Sequence, residues 1–159
     1  MNSNNFLKKF TFGLNTTFSI LLGNDEEKMI SYFGGSNTIR GWNMPTFSDY
    51  LHPSNSHRFG NHHLILSAEL RTDLIKYSPL KILDLNFEKG LTALIFYDIG
   101  LNSKELKYLI SSNNLPLIGF GFGFKIPFWG SVIGPDFGWS YYNKNYISFA
   151  IHIRAGHKF

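Results

Sequence analysis

The sequence predicts an all-β protein in which about six strands form one antiparallel, up-and-down sheet. Six segments alternate apolar residues with polar or small ones, and stretches rich in Gly, Asn and Ser separate them. Aromatic residues make up 17% of the 159 residues, with 16 Phe and 8 Tyr, whereas charged residues make up only 16%. The sequence has no run of about 18 apolar residues, which is the pattern of a membrane-spanning helix.

The first strand is predicted over about residues 8–22. Apolar residues and one threonine alternate along one face of this segment: Phe10, Phe12, Leu14, Thr16, Phe18, Ile20 and Leu22. The basic pair Lys8 and Lys9 before an apolar stretch also resembles a signal peptide, and that alternative stays open. Polar residues at every second position and the lack of a small-x-small cleavage pattern favour the strand.

Five further strands are predicted from the same alternation, over about 61–77, 88–101, 116–128, 131–142 and 146–159. The fourth strand has the clearest pattern, since phenylalanine alternates with glycine along most of its length. Each segment reaches the ~9–11 residues that a tilted strand needs to cross a bilayer. The strands are therefore long enough for a transmembrane barrel.

The two faces of these strands decide between a membrane barrel and a soluble fold. The apolar faces are continuous and highly aromatic, while the opposite faces carry small residues with isolated charges such as Glu69, Arg71, Asp98 and Arg154. A transmembrane barrel has this pattern, with lipid outside and a polar lumen inside, and its mean hydropathy stays near neutral. The value here is −0.09. A soluble lipocalin-like barrel or jelly roll remains the alternative.

The connections alternate in length, as in bacterial barrels with long outer loops and short periplasmic turns. Segment 23–60 is long, 102–115 is of intermediate length, and 128–130 is a tight turn, whereas the length of 78–87 has no explanation in the sequence. About six strands cannot close a membrane barrel, because the smallest known have about eight. We therefore expect residues 1–159 to be one portion of a larger barrel.

The most informative motif is a loop over residues 33–42, Phe-Gly-Gly-Ser-Asn-Thr-Ile-Arg-Gly-Trp. Its candidate functional residues are Gly34, Gly35, Ile39, Arg40, Gly41 and Trp42. A guanidinium on a glycine-flanked loop can fold into a polar lumen and bind carboxylates in bidentate geometry. The alternation places Glu69 and Asp98 on lumen faces, so both are candidate partners of Arg40. The alternative is a solvated loop arginine.

This loop, of the form Gly-Gly-x-x-x-(Val/Ile)-Arg-Gly-aromatic, together with a final aromatic strand, resembles the BamA-type outer-membrane assembly barrels, or bacterial surface antigen family. The resemblance implies the C-terminal portion of a sixteen-strand barrel, with five strands after the loop and an arginine docked on lumen acids that match Glu69 and Asp98. It also implies a recognition signal in the last strand, at positions that match Phe149, Ile151, Ile153 and Phe159. The alternative is a plain hydrophobic edge strand.

The function implied by the resemblance is assembly and insertion of outer-membrane barrel proteins, without a cofactor and in the bacterial outer membrane. The implied partners are membrane lipid, unfolded barrel clients and accessory lipoproteins, and periplasmic modules would precede the barrel. A two-partner secretion pore, the barrel anchor of a patatin-like lipase and a passive porin are the alternatives. What lies upstream of Met1 would separate them.

Other classes of function have little support in the sequence. No Gly-x-Ser-x-Gly motif or paired catalytic carboxylates occur, so we expect no enzymatic activity and no catalytic residues. The net charge of +4 is dispersed, which argues against nucleic-acid binding. A metal site would need His52, His57, His62 and His63 to converge without a carboxylate or thiolate, and we expect none.

Overall fold

The structure, a computed structural model, describes residues 10–22, 30–75, 81–82, 85–86, 90–128 and 131–156. The strands are β1 (Phe10–Ser19), β2 (Ser31–Tyr32), β3 (Phe59–Gly60), β4 (His62–Ile75), β5 (Lys81–Ile82), β6 (Leu85–Asn86), β7 (Leu91–Ser103), β8 (Leu117–Phe128), β9 (Ser131–Tyr142) and β10 (Asn145–Gly156). The helices are α1 (Phe47–Leu51), a 3-10 helix (Pro53–Arg58) and α2 (Leu106–Leu109).

The six long strands form one antiparallel sheet in the order β1-β4-β7-β8-β9-β10, so each long strand pairs with the long strand that follows it in sequence. The predicted all-β class, the six strands and their up-and-down order are confirmed. The sheet is open, with β1 and β10 at its two edges. Two short ladders accompany it, one between β2 and β3 and one between β5 and β6.

One face of the sheet, here called the open face, is apolar and uncovered. The register aligns Leu70, Ile95, Phe122, Phe137 and Ile151 across five strands, and residues paired in this way share a face. The rings of Phe122 and Phe137 stack with centroids 5.2 Å apart, yet Ile95 and Ile151 are each 58% exposed. Contiguous exposed apolar surface on this scale is rare on monomeric soluble proteins.

The opposite face, here called the loop face, is covered by segment 30–60. A row of mostly small residues crosses it in register: Glu69, Phe96, Gly121, Gly138 and Ala150. The buried core is a cluster formed by Phe33, Ile39, Trp42, Ile65 and Leu117. The core therefore lies between the sheet and the folded segment, while the phenylalanines of the open face lie outside it.

Several strand boundaries differ from the prediction. β1 ends at Ser19 rather than at 22, and the Leu21 amide donates to His62 Nδ1 at 3.4 Å instead of continuing the ladder. β7 continues to Ser103, because two polar residues beyond the apolar pattern still pair with β4. In β10 the register shifts between Tyr146 and Ser148, which leaves Ile147 without a register partner on β9.

Some predicted features lie outside the described residues. They are the start of the first strand before Phe10, positions 76–77 and 88–89 of the second and third strands, most of 78–87, the turn at 129–130, and the last positions, 157–159, with Phe159. Among the described residues, the helices are all too short to cross a membrane.

Candidate functional site

The predicted motif is a compact loop that brings its own two ends together. The Gly35 amide donates to the Trp42 carbonyl oxygen at 2.7 Å, which closes the loop. Gly41 has a φ of +89°, in the left-handed region that glycine adopts without a steric penalty. Thr38 Oγ1 also donates to the Gly34 carbonyl oxygen at 2.9 Å. The loop thus presents Ile39, Arg40 and Gly41 at its tip.

A second arginine, Arg58, closes the neck of the loop, and sequence reasoning missed it. Its Nε and Nη2 donate to the Phe33 carbonyl oxygen at 3.2 and 3.1 Å, and Nη2 also donates to the Asn43 carbonyl oxygen. The guanidinium lies 5.4 Å from the Trp42 ring centroid. Burial lowers the pKa of Arg58, and Asp49 partly offsets this. Nothing in the local sequence of the 3-10 helix distinguishes this arginine from a solvated one.

Arg40 lies between the two predicted acids. Its Nε and Nη2 donate to Asp98 Oδ2 and Oδ1 at 2.8 and 2.7 Å, which is bidentate geometry. The Arg40 backbone amide donates to the same Asp98 Oδ2 at 3.1 Å, and Nη1 donates to Glu69 Oε1 at 2.5 Å. Arg40 is 2% exposed, Asp98 is 0% and Glu69 is 6%. The charges are therefore largely removed from water and compensated by one another.

Glu69 is shared by three arginines. Besides Arg40, Arg71 donates to Oε2 from Nε at 2.8 Å and also from Nη2. Arg154 on the edge strand β10 places Nη1 3.4 Å from Oε1. Glu69 therefore keeps cationic neighbours even when Arg40 is removed, whereas Asp98 depends on Arg40 more strongly.

The wall beneath Arg40 is shaped by Phe96, which sequence reasoning did not assign to the site. The Arg40 guanidinium carbon lies 3.9 Å from the Phe96 ring centroid, within cation–π range. Space for this ring comes from glycines, since a Cβ at Gly121 would lie 2.9 Å from Phe96 Cζ and one at Gly138 would lie 3.2 Å away. The sequence did carry one signal for this role, since Phe96 is an aromatic residue on the otherwise polar face of a predicted strand.

The loop tip touches the backbone of β8 and β9. Trp42 Nε1 donates to the Ile118 carbonyl oxygen at 2.9 Å. A Cβ at Gly41 would lie 2.6 Å from the Trp139 carbonyl oxygen, and a Cβ at Gly119 would collide with the Arg40 carbonyl oxygen. The contact therefore requires glycine both in the loop, at Gly41, and in the sheet, at Gly119.

Gly119→Ala is expected to lift the loop tip from β8, because the new methyl group occupies the position of the Arg40 carbonyl oxygen. Overpacking of this kind costs about 1–3 kcal/mol. The measurement is protection of residues 33–42 from hydrogen exchange in the complete protein. Gly13→Ala is the control, since a Cβ at Gly13 meets no atom within 4 Å. Equal protection in both variants would show that the close approach does not limit docking.

A second buried ion pair lies beside the site and was not predicted. Lys125 Nζ on β8 is 2.7 Å from Asp136 Oδ1 on β9, with side-chain exposures of 7% and 0%. The same ammonium donates to the Gly134 carbonyl oxygen at 3.0 Å. Pro135, which has no N–H to contribute to a ladder, follows Gly134 directly.

The predicted last-strand residues lie apart from the loop. Phe149, Ile151 and Ile153 are on the open face of β10, and the Phe149 ring packs 5.3 Å from the Trp139 ring. The structure therefore does not bring them together with Arg40. They form part of the apolar wall.

The histidines of segment 30–60 and β4 serve separate contacts. The His57 ring stacks on Tyr142 at 4.0 Å, His52 Nδ1 is 2.7 Å from Ser54 Oγ, and His63 Nδ1 is 3.1 Å from Ser31 Oγ. Burial, followed by the charge of Arg58, lowers the pKa of His57. Among the described residues, no group of three or more metal-binding side chains is arranged to hold an ion.

The site is thus a clamp that fixes a loop against one face of a sheet through a buried ionic network. In comparisons with known proteins, no family model, no curated protein and no solved structure matches this chain.

Proposed function

We propose that the described sheet is part of the wall of a transmembrane β-barrel in the bacterial outer membrane. The open face would contact lipid, and the loop face would line the lumen. The exposed aromatic and aliphatic rows support the first assignment, because this surface is unfavourable in water but favourable in hydrocarbon. The buried arginines and carboxylates of the loop face support the second.

The two sheet edges imply further strands under this proposal. β1 and β10 each present one side of their backbone with no partner strand within the described residues. In hydrocarbon, each unpaired backbone group would cost several kcal/mol, so membrane strands occur in closed barrels. We propose that additional strands complete the barrel, with the family resemblance suggesting sixteen in all and this chain as the C-terminal portion.

The function proposed for this barrel is the assembly and insertion of other outer-membrane barrel proteins. The observation that carries it is the docking of Arg40 on Asp98 and Glu69 beneath a closed, glycine-shaped loop. The same motif carries the resemblance to the assembly family. A passive porin needs an open channel and has no evident use for a loop fixed against its inner wall by one arginine on two buried acids.

The test is reconstitution of the complete protein into liposomes with an unfolded outer-membrane barrel protein as client. Client insertion is followed by its heat-modifiable mobility on gels, and ion conductance is recorded in parallel. We expect insertion to be faster than in empty liposomes and to depend on Arg40. Lys107→Ala is the control, since Lys107 is exposed and its ion pair with the exposed Glu105 is not part of the ionic network.

Each of the alternatives has a different signature in this experiment. Conductance without client insertion would indicate a passive porin, and transport of one dedicated substrate would indicate a two-partner secretion pore. Lipid hydrolysis by an attached domain, without client insertion or substrate transport, would indicate a lipase anchor. Each of these outcomes would overturn the proposed assembly function.

A further inference from the structure

The loop tip is held not only by Arg40 but also by two side chains of the edge strand β10. The Gly41 amide donates to His152 Nε2 at 3.2 Å, and Ser148 Oγ donates to the Gly41 carbonyl oxygen at 3.3 Å. Side chains of β10 therefore satisfy both the backbone N–H and the backbone carbonyl oxygen of Gly41. Since Gly41 supplies the hydrogen, His152 Nε2 must carry a lone pair, and the imidazole must be neutral.

A second position for this imidazole lies next to it. His152 is the register partner of Asp136 on β9, and cross-strand neighbours have Cβ atoms about 5 Å apart. Asp136 is fully buried, and its Oδ2 has no hydrogen-bond donor among the described residues, while Lys125 pairs with Oδ1. A buried carboxylate oxygen without a donor is costly, and an imidazolium N–H would satisfy it.

Several other charged groups act on His152. They come from the loop and from the neighbouring strands: Arg40, Asp98 and Asp136. Removal of the ring from water and the Arg40 cation disfavour an imidazolium here, whereas the Asp136 and Asp98 carboxylates favour one. The Gly41 contact favours the neutral form, and the free Asp136 oxygen favours the cation.

We propose that His152 is a positioning residue that latches the Arg40 loop to β10 in its neutral form, and that protonation moves the imidazole to Asp136 and releases Gly41. The loop then keeps its carboxylate partners on β4 and β7 and its Ser148 contact, but it loses the His152 contact with the edge strand. The latch itself is independent of the proposed assembly function. Its consequence, that acidification loosens the last strand of the barrel wall, rests on that function.

The direction of the pH effect follows from which form binds Gly41. A histidine side chain ordinarily titrates near pH 6.5, and the Gly41 amide bonds only the unprotonated ring. The contribution of this contact to docking is therefore complete well above that pH. It is lost as the pH falls through the pKa of His152 in the docked state.

The test measures hydrogen exchange of residues 33–42 in the complete protein in detergent micelles, at pH 7.5 and 5.5, corrected for intrinsic rates. In the native protein we expect protection to fall about threefold to tenfold at the lower pH, as for loss of one hydrogen bond. His152→Gln keeps an acceptor oxygen but does not titrate, so its protection should be the same at both pH values. His152→Leu should show low protection at both.

The matched control is His52→Gln, which removes an exposed histidine of segment 30–60, the segment that contains the loop. This variant should keep the native pH dependence. Protection of β8 is recorded in every variant to show that the sheet is folded. A pH dependence retained in His152→Gln, or native protection in His152→Leu, would overturn the latch. Because the readout is loop docking, it can succeed or fail independently of client insertion.

Discussion

Arg40→Ala is expected to detach the loop tip from the sheet and to abolish most client insertion, while the six strands remain folded. The substitution leaves Asp98 buried, with its bidentate partner gone. Removing one member of a buried pair commonly costs about 3–5 kcal/mol, because the remaining charge is uncompensated. The core around Phe33 and Trp42 depends partly on the docked loop, so its protection should fall as well.

The structure predicts unequal roles for the two acids, which a double-mutant cycle in the complete protein can measure. Asp98 accepts two guanidinium bonds and the Arg40 amide, so the coupling between Arg40 and Asp98 should be the larger. Glu69 also contacts Arg71 and Arg154, so its coupling to Arg40 should be smaller. Loop docking is measured as hydrogen exchange of residues 33–42, and function is measured as client insertion.

Two further variants sharpen this cycle. Arg40→Lys should retain partial docking, because lysine keeps the charge but cannot form the planar bidentate contact. Asp98→Lys should be at least as damaging as Arg40→Ala, since it places two cations together. Additive effects of Arg40 with both acids would mean that the ion pairs do not hold the loop, and the proposed function would lose its main support.

The sheet was predictable because its two faces differ in composition along every long strand. Phenylalanine, isoleucine and leucine recur at every second position, and a shift by one residue would move all of them to the other face, so the pattern fixes both strand and register. The bulge at Ile147 was not predictable in this way. One more apolar residue in a strand that is already apolar gives no sequence signal that would reveal a bulge.

The Arg40 contact was predictable because the alternation places Glu69 and Asp98 on the loop face, the family resemblance matches these two acids, and a buried arginine needs carboxylates. Arg58, Phe96 and His152 were not, since their roles depend on carbonyl oxygens, a ring face and a backbone amide. Backbone groups carry no sequence signal, because every residue supplies them. Such contacts become visible only when the three-dimensional path of the loop is known.

Phe122→Arg is expected to destabilise the membrane-inserted barrel by about 2–4 kcal/mol, the cost of an arginine on the lipid face near the bilayer midplane. Phe122 lies on the open face in the middle of β8, where its ring stacks on Phe137 at 5.2 Å. The measurement is the denaturant midpoint and heat-modifiability of the complete protein in lipid vesicles. Insertion yield is measured in parallel.

Phe47→Arg provides the matched control, because it makes the same chemical change at a residue that is 76% exposed on α1, outside the long strands. We expect this variant to insert and resist heat like the native protein. An open face that met water would give a different result, since an arginine on a water-exposed face costs little beyond the lost ring contact. Native stability of Phe122→Arg would therefore place the open face in water and contradict the barrel proposal, while leaving the Arg40 clamp itself intact.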